Sequence, residues 1–295
     1  MADFRQALRE REVLIADGAM GTALQWAGLP AGAAPERWNL KRPKAIRKLH
    51  RGYVEAGADL ILTNTFGGNR YRLARDGLAE RAHEINVAAT ALAREAADDA
   101  GRMVFVVGDI GPTGQMLAPL GALSYDDAAA AFAAQADALM AGGVDALLIE
   151  TMSDLNEVKA AIAGARQVAE DVPLLATMSF DTKGRTMMGV KPEQAATTLA
   201  ALPVDVIGAN CGRTLDETLT AIRKMRAALP DAILMAKPNA GLPRTEGGDL
   251  IYDVTPAVMA EYARRFVAEA GVKIFGGCCG STAEHIRAVA AALKG

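Results

Sequence analysis

Cysteine is scarce in this 295-residue chain, and the three that occur, Cys211, Cys278 and Cys279, are an odd number that excludes a disulfide framework. Vicinal cysteines such as Cys278 and Cys279 bridge each other only in strained geometry, so the thiols read better as metal ligands or reactive groups. Charge of one sign is also lacking: 32 basic and 35 acidic residues leave a formal net charge of -3, with no basic stripe for a nucleic-acid backbone or an anionic lipid surface. No apolar run approaches the roughly 20 residues that span a bilayer. Met1 to Arg11 is a charged amphipathic start and not an apolar signal core, so the expectation is a cytoplasmic protein with no nucleic-acid or membrane partner. Gly18, Gly21 and Gly67-Gly68 form no dinucleotide fingerprint, and Gly276 to Gly280 lacks the lysine of a phosphate loop, which argues against nicotinamide and ATP.

What is present is apolar bulk, 51% of residues against 23% charged, enough for a large core. Short apolar runs of strand length recur eight times: Val13 to Ala16, Leu60 to Thr63, Val104 to Gly108, Ala146 to Ile149, Leu174 to Met178, Val206 to Ala209, Ile233 to Ala236 and Val272 to Phe275. Alanine-rich helical segments separate them, at Pro43 to Ala56, Ala79 to Ala100, Asp126 to Ala141, Leu155 to Ala169, Glu193 to Ala201, Leu215 to Ala228, Pro256 to Ala270 and Ala283 to Leu293. Continuous apolar strands mean burial on both faces. Eight strand–helix repeats therefore predict an α/β protein with a single (β/α)8 TIM barrel over residues 1–295, with an open doubly wound sheet as the alternative. The alanine-rich helices also leave room for a homo-oligomer without requiring one.

In such a barrel the chemistry gathers at the C-terminal ends of the strands. There the sequence places Asp17 with Gly18, Asn64, Asp109, Glu150, Asp181, Asn210 with Cys211, and the run Gly276-Gly277-Cys278-Cys279-Gly280. All three cysteines fall on one rim and can converge on one metal, with the glycines allowing the bend that adjacent ligands need. Three thiolates with one open position are expected of a reactive zinc (Zn2+) and not of a closed structural site. Such a centre suits binding another thiol and presenting it as a nucleophile for alkyl transfer. Asp17 and Glu150 are candidates for holding the ammonium of an amino-acid substrate, and backbone N–H groups near Gly18 to Thr22 for its carboxylate. Asn210 is a candidate for orienting a ligand or the substrate. The plainer alternatives are small buried cysteines, a capping Asp17, an ion-paired Glu150 and a turn-forming Asn210. His50, His83 and His285 lie within helical segments, so no histidine base is invoked.

These residues resemble the homocysteine S-methyltransferases, a family that includes the homocysteine module of cobalamin-dependent methionine synthase and betaine–homocysteine methyltransferase. The resemblance covers nearly the whole chain. It rests on Asp-Gly-Ala-Met-Gly-Thr at 17–22, Thr-Asn-Thr-Phe at 63–66, Gly-Pro-Thr-Gly at 111–114, Ile-Glu-Thr at 149–151, Gly-Ala-Asn-Cys at 208–211 and Gly-Gly-Cys-Cys-Gly at 276–280. It implies a (β/α)8 barrel, zinc on Cys211, Cys278 and Cys279, and Asp17, Gly18 and Glu150 at the amino-acid end of homocysteine. It implies methyl transfer to homocysteine to form methionine. The donor varies across the family among betaine, S-methylmethionine and a methyl-corrinoid carried by another domain or protein. Lys237 to Pro243 is similar to the methionine synthase branch, whereas Thr151 and Gly67 stand where the animal betaine enzyme has tyrosines. A different aromatic cage would have to draw on Trp26, Trp38, Tyr53, Tyr71 or Tyr125. Other readings of the same site are a different thiol or selenol acceptor, and a zinc-bearing subunit that docks a corrinoid protein.

Overall fold

The computed structural model describes residues 3–246 and 249–295; Met1 and Ala2 of the charged start, and positions 247 and 248 of the expected 1–295 domain, lie outside it. Eight parallel strands form one sheet: β1 (Leu14–Ile15), β2 (Leu60–Leu62), β3 (Phe105–Ile110), β4 (Ala146–Met152), β5 (Leu174–Met178), β6 (Val206–Cys211), β7 (Leu234–Pro238) and β10 (Val272–Phe275). Their order is β1-β10-β7-β6-β5-β4-β3-β2, and a parallel bridge between Ala16 and Leu60 joins the two ends. The result is the (β/α)8 TIM barrel that the strand count predicts. A two-stranded hairpin, β8 (Arg244–Glu246) and β9 (Asp249–Ile251), is inserted after β7. The predicted strands and the eight main helices match to within a few residues, except that Ala79 to Ala100 begins as a 3-10 turn at Ala79–Arg81. Pro43, Pro192 and Pro256 open their helices, where a missing N–H costs nothing, and Thr255 Oγ1 caps Val258 N.

Period-two alternation divides the strands between two cores. Ile15, Ile61, Val106, Leu147, Leu174, Ile207 and Leu234 face the helices. Leu14, Leu60, Phe105, Ala146, Leu148, Leu175, Met235 and Ile274 fill the barrel interior. The short helix Phe4–Glu10, which the strand–helix pattern did not flag, closes the lower end of that interior. Its Phe4 is 1% exposed and meets Phe105 edge to face at 5.1 Å.

An aspartate immediately precedes each of β2, β4 and β6. Asp59, Asp145 and Asp205 donate their backbone N–H to the carbonyls of Ile15, Val106 and Leu174 on the preceding odd-numbered strand. Each carboxylate then accepts the N–H of that same residue, at 2.8, 2.7 and 2.9 Å. Arg11, Arg94 and Arg5 neutralise the three carboxylates. The two-point clamp fixes register where three pairs of neighbouring strands begin, and so fixes which side chains reach the interior.

Phe4→Ala should cost about 3–5 kcal/mol, the usual range for an aromatic removed from a packed interior. Urea unfolding of the variant should show that loss; a change below about 1 kcal/mol would mean that the helix is not a plug.

Candidate active site and metal centre

Two residues above the apolar layer, the same inward face of the strands turns polar. Val107 is followed by Asp109, Leu148 by Glu150, Leu175 by Thr177, Gly208 by Asn210 and Met235 by Lys237. All five polar residues are at least about nine-tenths buried. Asp109, Glu150 and Lys237 lie at the floor of a cleft of about 530 Å³, which Asp17 and the three cysteines also line. Asp181 stays outside it, three residues beyond the end of β5.

Lys237 is the centre of this polar layer, a site residue absent from the candidates expected at the strand ends. A lysine ending an otherwise apolar strand was the available signal. Its Nζ lies 3.6 Å from Asp17 Oδ1 and 3.6 Å from Glu150 Oε2. Asp17 Oδ2 also accepts Leu62 N–H at 2.8 Å. Asp17 Oδ1, Glu150 Oε2 and Asp109 Oδ1 are buried without a hydrogen-bond partner among the described residues. Three carboxyls thus face one ammonium. Burial pushes Glu150 up to about 7 and Asp17 up to about 6, in each case opposed by Lys237. Burial and then Glu150 hold Asp109 well above the carboxylate range. Burial would lower Lys237, but Glu150 and Asp17 outweigh it and hold the ammonium above its usual value.

The three thiols converge from β6 and from the loop after β10. Their sulfurs all lie within 4.8 Å of one another, with Cys211 and Cys278 Sγ 3.2 Å apart. Three sulfurs at about 2.3 Å from one tetrahedral ion stand about 3.8 Å apart, so the donor set fits a single thiophilic metal. Hydrogen bonding from Cys211 and Cys278 pulls Cys279 down, while Cys211, bonded to the other two, and Cys278 are pushed up, so the trio shares one thiolate. β7 lies between β6, which ends in Cys211, and β10, which leads into the Cys278–Cys279 loop, and its end is bonded to both. Pro238 O accepts Cys278 N–H at 2.8 Å, Asn239 N donates to Cys211 O, and Ala240 N donates to Cys279 O. The side chain of Asn239 holds Gly212 O at 2.7 Å.

Backbone strain concentrates here. Cys211 itself, with φ +57°, adopts the left-handed region, and so does Thr151, with φ +61°. Asn210 accounts for Thr151: its Oδ1 accepts Thr151 N–H at 2.8 Å and its Nδ2 donates to Thr151 Oγ1 at 2.6 Å. Asn210 also accepts from Thr177 at 2.7 Å and approaches Cys278 Sγ at 3.9 Å. Of the glycines beside the cysteine pair, Gly280 has the positive φ, +78°, whereas Gly277 is required by close approach, since a Cβ there would lie 2.2 Å from Ser281 Oγ. Gly18 lines the cleft, and the first loop is stitched to the cysteine loop: Ser281 Oγ accepts Ala19 N–H and donates to Cys278 O.

The proposed replacement cage does not assemble from the five aromatics named for it. Tyr53 and Trp38 are buried, Tyr53 donating to Ala19 O at 2.6 Å, and none of the five lines the cleft. The rings that do are Phe66 and Tyr252; Trp26 meets Tyr252 edge to face and donates to Leu250 O from outside. His50 is buried and, by burial, lowered to about 4; His83 is exposed, and His285 bonds Val254 O. No helix among the described residues is long and apolar enough to cross a membrane.

A family model described as homocysteine S-methyltransferase matches residues 14–293. The chain is 37% identical to methionine synthase from Mycobacterium tuberculosis and 36% identical to that from Mycobacterium leprae. Each match covers 99% of this chain but 25% of the relative, so the chain spans about a quarter of the length of these enzymes. Among solved structures, the homocysteine methyltransferase MmuM from Escherichia coli in its metallated form superposes with a TM-score of 0.81 at 24% identity, over 98% of this chain and 99% of that one. That likeness speaks for the fold.

The carboxyl cluster has a measurable pH signature. Glu150 titrates near 7 in the fold, above its ordinary 4.5. Its contribution to stability is therefore full below about pH 4.5 and lost as pH rises through 7. Lys237→Met removes the compensating charge, so its stability deficit should be largest at pH 8 and shrink toward pH 5. Denaturation midpoints across that range test this, and a deficit independent of pH would disprove the charge balance.

Proposed function

The chain belongs to the homocysteine S-methyltransferase family, and from that premise we propose that it methylates the sulfur of homocysteine, giving methionine, with zinc carried by Cys211, Cys278 and Cys279. The observation that carries the reading is the pairing, in one cleft, of a three-thiol cluster with buried carboxylate oxygens that face Lys237 but accept no hydrogen bond among the described residues. Zinc bound there would lower the pKa of the substrate thiol and hold it as a thiolate facing the donor.

The chain's own residues do the rest. Asp17 and Glu150 take the substrate ammonium as a second cation beside Lys237, satisfying Asp17 Oδ1 and Glu150 Oε2. Buried and fixed beside Lys237, they orient the amino acid without reorganisation of water. Asn210 holds Thr151 and stands beside Cys278, a positioning role. The pairing of Pro238 and Ala240 with the cysteine loop keeps the sulfurs at ligand spacing. Among the described residues two rings line the cleft, which supports a donor other than a quaternary ammonium held in an aromatic cage. The likeness to one quarter of the methionine synthases supports a second reading of the donor, a methyl-corrinoid delivered by another domain or protein.

Purified, reduced protein should hold one zinc per chain and form methionine from homocysteine when offered S-methylmethionine or methylcobalamin. Cys278→Ala should lose zinc and turnover together; full turnover without zinc would end this reading. Glu150→Gln should keep its zinc and bind homocysteine about ten- to a hundredfold more weakly, as expected for a lost charge-assisted contact. Unchanged affinity in calorimetry would remove Glu150 from the substrate site.

A further inference from the structure

The two ends of the cleft differ in electrostatic character. The floor sets three carboxyls against one ammonium. The more exposed end carries Glu36, Asp76, Arg72 and Arg75. Both acids there are already engaged. Glu36 Oε1 accepts Gly67 N–H at 2.6 Å, while Asp76 Oδ1 accepts Ala34 N–H at 3.3 Å and pairs with Arg37 at 3.7 Å. Arg75 donates to Gly114 O at 3.0 Å.

Arg72 differs from these. Its guanidinium carbon lies 5.7 Å from the centroid of the Phe66 ring, and among the described residues the guanidinium has no hydrogen-bond or ion-pair partner. A guanidinium has five N–H donors in a rigid fork, and those of Arg72 are left to the water of the cleft, where an anion can take them. Burial and then the charge of Arg75 act against the guanidinium, and the two carboxylates that favour it, Glu36 and Glu157, accept their hydrogen bonds from Gly67 and Thr113. A planar fork, stacked on a ring and facing open cleft, matches a carboxylate or a phosphate.

The acceptor's amino-acid end belongs at the floor, so the anion at the mouth is left for the other substrate. We propose that Arg72, stacked on Phe66 and flanked by Arg75, is a subsite that binds an anionic group, carboxylate or phosphate, of the methyl donor. The inference rests on the methyltransferase reading above. Anchoring the donor by its anion at the mouth leaves its methyl group free to point at the sulfurs on the floor.

Calorimetry on the zinc-loaded full chain tests it, in the presence of L-2-aminobutyrate, which keeps the amino-acid end and lacks the thiol. S-methylmethionine supplies a carboxylate and methylcobalamin a phosphodiester. Each is compared with a counterpart lacking that anion, S-methylmethionine amide or methylcobinamide. At least one anionic donor should bind the wild-type protein, and Arg72→Gln should weaken it by about ten- to a hundredfold. The matching anion-free donor should bind both proteins to within about twofold, and the pair that behaves this way identifies the source of the anion. Arg72→Lys, which keeps the charge and loses the fork, should recover part of the affinity, and it carries the test if Arg72→Gln fails to fold.

Binding of no anionic donor to the wild type overturns the proposal, as does an equal loss for donors with and without the anion. Homocysteine is titrated separately. If Arg72→Gln weakens homocysteine instead, the arginine serves the acceptor and the proposal fails; if the wild type does not bind homocysteine, the parent reading fails.

Discussion

β7 has no cysteine, yet the other parts of the site are arranged around it. It lies between β6 and β10, and its last residues hydrogen-bond the cysteine loops on both sides. Its inward side chain at the same level, Lys237, is the one ammonium that faces three buried carboxyls. Charge burial of this kind is tolerated only when partners are fixed in place. The backbone that aligns the sulfurs and the cation that stabilises the acids are therefore one element. Shifting β7 by one residue would turn Lys237 outward and break the pairing of Pro238 with Cys278 at the same time.

The fold supports that element from below. Asp59, Asp145 and Asp205 clamp the starts of three strand pairs, and Phe4 closes the hydrocarbon interior. Register set at the bottom of the barrel is transmitted up strands only a few residues long to the polar layer at the top. The left-handed conformations of Cys211 and Thr151 sit within the densest hydrogen bonding of the site, where Asn210 and Asn239 hold the neighbouring backbone. Strain of roughly 1–3 kcal/mol at each such residue persists only where the surroundings over-determine it.

Much of this was legible in the sequence because its causes are local or periodic. Eight apolar runs separated by helical segments specify a parallel barrel, since each run must be covered on both faces and each crossover needs a helix. The cysteines, Asp17 and Glu150 stand out because polar and thiol side chains at strand ends must project over the rim. What alternation along a strand could have added is Lys237, two residues beyond an inward methionine.

Tertiary structure alone decided the rest. It decided that Tyr53 and Trp38 serve the core and that Phe66 and Tyr252 line the cleft, because exposure depends on which loops fold back over the rim. It decided that the sharp turn at the sulfurs is made by Cys211 and Gly280, and that Asp17 and Glu150 share a lysine, because both depend on the register of strands far apart in the chain. The sequence by itself determined which residue types are available and which face of each strand they occupy; closure of the barrel determined the distances between them, and the chemistry of the site depends on those distances.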